Sequence, residues 1–166
     1  APQLETQIPP ISDIDGNTPP ELDLSKHFTD VDGDTVTVSS VTGLPPGLTF
    51  NTTTGLVTGT LTPDASQGGP NKDGIYTVTV VVSDGQGGTS TETFTYTVTN
   101  PAPVAEDDSR TTAEDTPVSG NVITGNSDGD TADIDPDGDA LSVTQFVVDG
   151  KTYSFDATTS VHTVTL

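Results

Sequence analysis

The sequence predicts an all-β protein, two Greek-key β-sandwiches in tandem with the second incomplete, and three observations carry that expectation. Short runs of alternating apolar residues and Thr recur roughly every 8 to 15 positions. Clusters of Gly, Pro, Asn and Asp separate them, and the period of about 3.6 that marks an amphipathic helix is missing from the 166 residues. Only 30% of the chain is hydrophobic, against roughly 45–50% in ordinary globular domains, so order has to come from patterning rather than from bulk apolar content.

Residues 1–100 form the first domain. Its strand candidates begin with Glu21 to Leu24, Thr35 to Val41, Leu48 to Phe50 and Leu56 to Leu61, with Pro45, Pro46 and Gly47 forcing a turn between two of them. The clearest strand places Tyr76, Val78, Val80 and Val82 on one face with Thr77 and Thr79 between them. Its hairpin partner alternates Phe94, Tyr96 and Val98 with Thr93, Thr95, Thr97 and Thr99, and the turn is Ser83-Asp84-Gly85-Gln86-Gly87-Gly88. Seven short strands in about 100 residues suit an Ig-like sandwich, and Tyr76 stands either as a tyrosine corner bonded back to the preceding loop or as an ordinary core residue. The segment Asn100-Pro101-Ala102-Pro103 reads as a stiff linker. Beyond it, residues 101–166 offer Thr116 to Ser119, Asn121 to Thr124, Leu141 to Val148, Thr152 to Phe155 and Val161 to Leu166 as strands of a partial sandwich.

Charge narrows the function classes. Twenty-five acidic side chains face four basic ones, a formal net charge of -21. Lys26, Lys72, Arg110 and Lys151 are scattered singly, which excludes a nucleic-acid partner and disfavours direct contact with an anionic membrane. No apolar run approaches the roughly 20 residues of a membrane helix, and the first residues lack a signal-peptide pattern, so the expectation is a soluble, monomeric piece of something longer. Without Cys, a domain exposed outside the cell has neither disulfides nor thiolate metal sites to brace it. Calcium is the brace an acidic chain can use.

The Asp residues are placed accordingly. They alternate at Asp13 and Asp15, at Asp30, Asp32 and Asp34, and at Asp133, Asp135, Asp137 and Asp139. On an extended strand that spacing brings like charges within about 6–7 Å of one another, and the repulsion calls for a cation. Calcium accepts about six to eight oxygens in irregular geometry, including carbonyls of Gly turns, whereas magnesium insists on an octahedron. The segment from Asp133 to Thr144 starts like an EF-hand loop but has Thr144 where the bidentate Glu belongs and Pro136 inside it, so the EF-hand is rejected and the metal kept. In a seven-strand sandwich the loops holding Asp30 to Asp34 and Asp84 emerge at the same end, so Asp84 is expected to join Asp30, Asp32 and Asp34. At the domain junction Asn100, Asp107 and Asp108 are expected to join Asp135, Asp137 and Asp139.

The order FTDVDGDTVTV, GLPPGLTFNTTTGLVTGT, YTVTVVVSDGQGGTSTETFTYTV resembles the cadherin-like, putative-Ig (dystroglycan-type) repeats of bacterial surface proteins across residues 20 to 99. NPAPVAEDDSRTTAEDTPVSGNVITGN followed by DIDPDGDALSV resembles the opening half of the cadherin-like VCBS-type repeats of large RTX adhesins. The resemblance implies a repetitive, calcium-rigidified stalk, secreted by a type 1 system to the bacterial cell surface, that holds ligand-binding domains away from the cell. It supports Asp30, Asp32, Asp34 and Asp84 as ligands in the first domain and Asp107, Asp108, Asp135, Asp137 and Asp139 in the second. Its expected partners are neighbouring repeats of the same polypeptide. The second repeat lacks a closing strand, either because the sequence is cut there or because an inserted ligand-binding domain splits it.

An enzyme finds little support. There is no Cys and no GxSxG, and only His27 and His162 are available as bases. No Trp provides the aromatic platform usual in a sugar cleft. The competing reading is a calcium-dependent sugar- or peptide-binding module, with contacts from the loop around Gln67, Gly68, Gly69, Pro70 and Asn71.

Overall fold

The computed structural model describes residues 1–109, 111–125, 130–148 and 150–154. The chain divides into two compact units, Ala1–Pro101 and Ala102–Leu166. It is all-β, with 3-10 turns but no α-helix among the described residues.

In the first unit the strands are β1 (Pro2–Leu4), β2 (Ile11–Ile14), β3 (Leu22–Asp23), β4 (Phe28–Asp30), β5 (Thr37–Thr42), β6 (Leu48–Asn51), β7 (Leu56–Gly59), β8 (Ile75–Ser83) and β9 (Thr89–Thr99). A four-stranded sheet runs β2-β9-β8-β5, a three-stranded sheet runs β3-β7-β6, and β1 pairs with β4. All pairings are antiparallel except β2 on β9. The long hairpin β8–β9 sets the register of the larger sheet, from Ile75 opposite Thr97 to Ser83 opposite Thr89. Its inward face buries Tyr76, Val78, Val80 and Val82 from β8 and Phe94, Tyr96 and Val98 from β9. Leu48 and Val57 from the smaller sheet, with Leu24, Phe28 and Leu61, close the same core. The alternation read in the sequence is therefore the alternation of burial: Thr77, Thr91, Thr93, Thr95 and Thr99 are exposed.

The Tyr76 hydroxyl donates to the Ala65 carbonyl at 2.5 Å, the tyrosine-corner geometry in which a buried phenol ties the strand start to the preceding loop. Gly68 makes room for it, because a Cβ there would collide with the Tyr76 hydroxyl. Asp15 adds a second tether: its Oδ1 accepts from the Ser66 N–H at 2.8 Å. The connecting loop is thus packed down through the 3-10 turn Ala65–Gln67.

Several expected strands differ from those observed. The run from Glu21 to Leu24 forms a strand over Leu22–Asp23 alone, because Asp23 caps a 3-10 turn at Leu24–His27 by accepting from the Ser25 N–H and hydroxyl. The run from Leu56 ends at Gly59, whose φ of 138° breaks the strand. Strands β1, β2 and β4 were not anticipated; β2 lacks an apolar alternation because its inward position holds Asp13, bonded to the Tyr96 hydroxyl at 2.8 Å. Asn51 begins a turn, its Oδ1 accepting from Thr53 N–H at 2.9 Å.

Among its described residues the second unit has one hairpin, β10 (Gln145–Val148) with β11 (Lys151–Ser154), and an isolated antiparallel bridge between Val104 and Ile134. Neither Thr116 to Ser119 nor Asn121 to Thr124 is a strand. The Asn121 Oδ1 captures the Ile123 and Thr124 N–H groups at 2.9 and 3.1 Å, so the backbone donors a ladder would need are spent locally. Of the Leu141 to Val148 run only the last four residues are a strand. Phe155 and the run Val161 to Leu166 lie outside the described residues.

The tyrosine corner yields a stability test. Tyr76→Phe removes one of the two donors that reach the buried Ala65 carbonyl, the other being the Gly68 N–H at 3.1 Å, at a cost of about 1 kcal/mol, and thermal unfolding of the variant is expected several degrees below the parent chain. An unchanged melting temperature would reduce the corner to packing alone.

Candidate metal centre

Two loops build the first cluster, and each holds its carboxylate the same way. Asp30 ends β4, and its Oδ1 accepts from the Asp32 N–H at 2.8 Å. Asp84 follows β8, and its Oδ1 accepts from Gln86 N–H at 2.8 Å and Gly88 N–H at 2.9 Å. In both residues the loop backbone fixes one oxygen and leaves Oδ2 for something else. Those Oδ2 atoms converge: the Ala1 amino nitrogen lies 3.1 Å from Asp30 Oδ2, 3.6 Å from Asp84 Oδ2 and 3.6 Å from Asp32 Oδ2. The Asp30 side chain is 0% exposed and that of Asp84 5%, whereas Asp32 is 75% exposed. The Ala1 amino group is the partner of Asp30 Oδ2. Asp34 completes the group from the outside, one oxygen each from Asp30, Asp32 and Asp34 lying within 4.8 Å of one another.

The electrostatics follow from the geometry. The hydrogen bond from the Asp32 N–H holds the Asp30 carboxyl below the usual carboxylate value against the opposing effect of burial, and the Ala1 amino group adds to the lowering. The Gln86 and Gly88 N–H groups do the same for Asp84, again against burial, while the charge of Asp30 works the other way. The Ala1 amino group is raised, chiefly by its hydrogen bond to Asp30. These carboxylates stay ionised around one point, which is the condition a hard cation needs.

The second cluster lies in the second unit. Its segment 104–109 runs beside 130–134: Val104 and Ile134 exchange backbone hydrogen bonds, Glu106 N–H donates to Asp133 Oδ1 at 2.8 Å, and Ser109 N–H donates to Asp130 Oδ1 at 3.4 Å. Asp107 on that segment is exposed and Asp108 half-buried. Asp135-Pro136-Asp137-Gly138 turns tightly, with Gly138 N–H on the Asp135 carbonyl at 3.2 Å and Asp137 N–H on Asp135 Oδ1 at 3.3 Å. Asp135 and Asp137 meet as like charges. The Asp137 carboxyl is pushed up to about 6 by its hydrogen bond with Asp135, by burial, and by the charges of Asp135 and Asp139. The same bond lowers Asp135. A proton here does what a cation would do better.

The remaining acidic pair, Asp13 and Asp15, has other work. Asp13 accepts from the Asn17 side chain and the Tyr96 hydroxyl, and Asp15, 3% exposed, from Ser66. Asn100 is exposed just past β9, at the end of the first unit. Sequence reasoning brought Asp84 to Asp30 through loop topology. It had no signal for the role of the backbone, which orients each carboxylate.

The comparisons with known proteins follow this architecture. A family model described as "Putative Ig domain" matches residues 1–99. The chain belongs to that family. A second model, described as "Bacterial Ig domain", matches residues 100–165, so this Ig-domain chain carries two bacterial Ig-like repeats in tandem. Repeats of this kind are typical of surface and secreted proteins and are usually non-catalytic. No curated protein sequence matches the chain. Among solved structures it is similar to one described as a "putative alpha-galactosidase" from Bacteroides fragilis, at 20% identity and a TM-score of 0.43, covering 64% of this chain and 20% of that one. The chain therefore spans one fifth of that protein's length. No helix among the described residues is long and apolar enough to cross a membrane.

The Asp135–Asp137 pair makes stability pH-dependent in a direction opposite to most carboxylates. A folded-state value of about 6, above the ordinary 3.8, means the contribution is present when Asp137 is protonated and is lost as pH rises through that value. Metal-free protein in EDTA is therefore expected to melt higher at pH 5 than at pH 7. Asp137→Asn should flatten the profile between those two values, and a wild-type slope in that variant would place the titration elsewhere.

Proposed function

We propose that the chain is part of a calcium-rigidified extender of a bacterial surface adhesin, a tandem Ig-like spacer that projects ligand-binding domains from the cell. One observation carries the reading: three carboxylate oxygens, from Asp30, Asp32 and Asp84, approach one point from two loops that leave different strand pairs. An ion at that point joins the β1–β4 ribbon to the β8–β9 hairpin, so unfolding either element requires releasing the metal. Calcium fits this donor set, which is all oxygen, irregular, and partly exposed on the Asp32 and Asp34 side. Asp135, Asp137 and Asp139, with Asp107 and Asp108 on the neighbouring segment, are the proposed ligands of a second ion. It would displace the proton that now relieves their repulsion.

The alternative, a calcium-dependent sugar- or peptide-binding module, depends on the loop around Gln67 to Asn71 being available to a ligand. Its first half is held down by the Tyr76 and Asp15 hydrogen bonds, which favours the spacer.

Calcium should act as a ligand of the folded state alone, worth about 2.7 kcal/mol at a hundredfold excess over Kd. Extracellular calcium modules bind at about 10⁻⁴–10⁻³ M, so millimolar calcium should raise the melting temperature above that in EDTA. Asp30→Asn and Asp84→Asn should each abolish most of that rise. Single-molecule pulling then tests the extender role: the first repeat should unfold at a higher force in calcium than in EDTA. Coincident melting curves would remove the metal, and equal forces would remove the mechanical role.

A further inference from the structure

We propose that Gly88 is the positioning residue of the Asp30/Asp84 centre: its missing side chain leaves the space into which Asp84 Oδ2 points, and filling that space closes the site without removing a ligand. The inference rests on the calcium reading of that centre and adds a residue that coordinates nothing. A Cβ built on Gly88 would collide with Asp84 Oδ2 and would lie 2.9 Å from the Ala1 Cα, so it falls where the Asp84 oxygen and the β1 end of the chain approach each other. No backbone requirement explains the glycine. Gly85 and Gly87 in the same turn have φ of 72° and 102°, the left-handed region that favours Gly, whereas Gly88 is not among the positive-φ residues. An Ala at 88 suits the local main-chain conformation but must displace Asp84 Oδ2 and Ala1, the groups that surround the site.

The N–H of Gly88 completes the argument. It donates to Asp84 Oδ1 at 2.9 Å while its carbonyl accepts from Asp84 N–H at 3.2 Å. Gly88 thus fixes one carboxylate oxygen with its backbone and leaves room for the other by having no side chain. Adding a methyl preserves the first function and removes the second. Asp84 must then rotate its Oδ2 away from Asp30, and the buried Asp30 Oδ2, which faces the Ala1 amino group at 3.1 Å, loses the partner that would share a cation with it.

The test uses the full chain carrying Asp137→Ala, which silences the second cluster, and calcium itself as the probe, by titration calorimetry. Gly88→Ala is expected to weaken calcium binding roughly 10–100-fold, the range typical of residues that orient a metal's ligands. It should still melt cooperatively in EDTA. Gln86→Ala, which keeps its backbone donor to Asp84, should bind as the parent does. The double variant Asp84→Asn/Gly88→Ala should bind no more weakly than Asp84→Asn alone, because Gly88 acts through a carboxylate already disabled. Parent-like binding by Gly88→Ala while Asp84→Asn binds poorly would overturn the inference alone. Additive losses in the double variant, or a Gly88→Ala chain that no longer unfolds cooperatively in EDTA, would overturn it by showing a structural role. Parent-like binding by Asp84→Asn would overturn the calcium reading and the inference with it.

Discussion

The register of β8 on β9, with Val78 opposite Phe94 and Val82 opposite Ser90, decides what the first repeat buries and what it exposes. Because side chains alternate with a period of two, a slip of one residue would turn Val78, Val80 and Val82 outward and bring threonines into the core. The same hairpin delivers the functional features at its two ends. Its start holds Tyr76 against Ala65, and its turn holds Asp84 toward Asp30. Core, corner and candidate metal centre are therefore consequences of one pairing.

A chain at net charge -21 must also manage its own repulsion, and it does so by three means. Asp13, Asp15 and Asp23 are absorbed by hydrogen bonds from side chains and backbone, and they act as caps and tethers. Asp135 and Asp137 meet as like charges, and the raised Asp137 carboxyl relieves their repulsion only toward low pH. Asp30 and Asp84 are held ionised and converge with Asp32, and one oxygen of each of the two is already fixed by backbone N–H groups. Only the last arrangement is pre-organised to take a cation with little further ordering of its buried ligands. That difference ranks the clusters in a way that counting aspartates does not.

The β8–β9 hairpin and the Pro-Gly turn before β6 were legible in the sequence because each is a local property: strand alternation and fixed φ at Pro. The company kept by Asp84 was legible too, since it follows from which loops share an end of a sandwich. Strands β1, β2 and β4 were not. Each has only three or four residues, and β2 carries Asp13 where an apolar residue would have announced it, an exchange made tolerable by the neighbouring Asn17 and by Tyr96 from 83 residues away. The turn at Asn121 was misread as strand because the competing interaction is a side chain capturing its own backbone, which composition does not reveal.

What the sequence determined by itself was the all-β class, the tandem organisation, the strongly acidic net charge and the supply of carboxylates on turns. These depend on periodicity and composition, which are written along the chain. Tertiary structure alone decided how closely the Asp30 and Asp84 carboxylates converge, because that depends on two loops more than 50 residues apart arriving at one point. It also decided which oxygen of each is free, because backbone N–H groups of the folded loops claim the other, and why Gly88 has no side chain, because the atom it avoids belongs to Asp84 on the far side of the same turn.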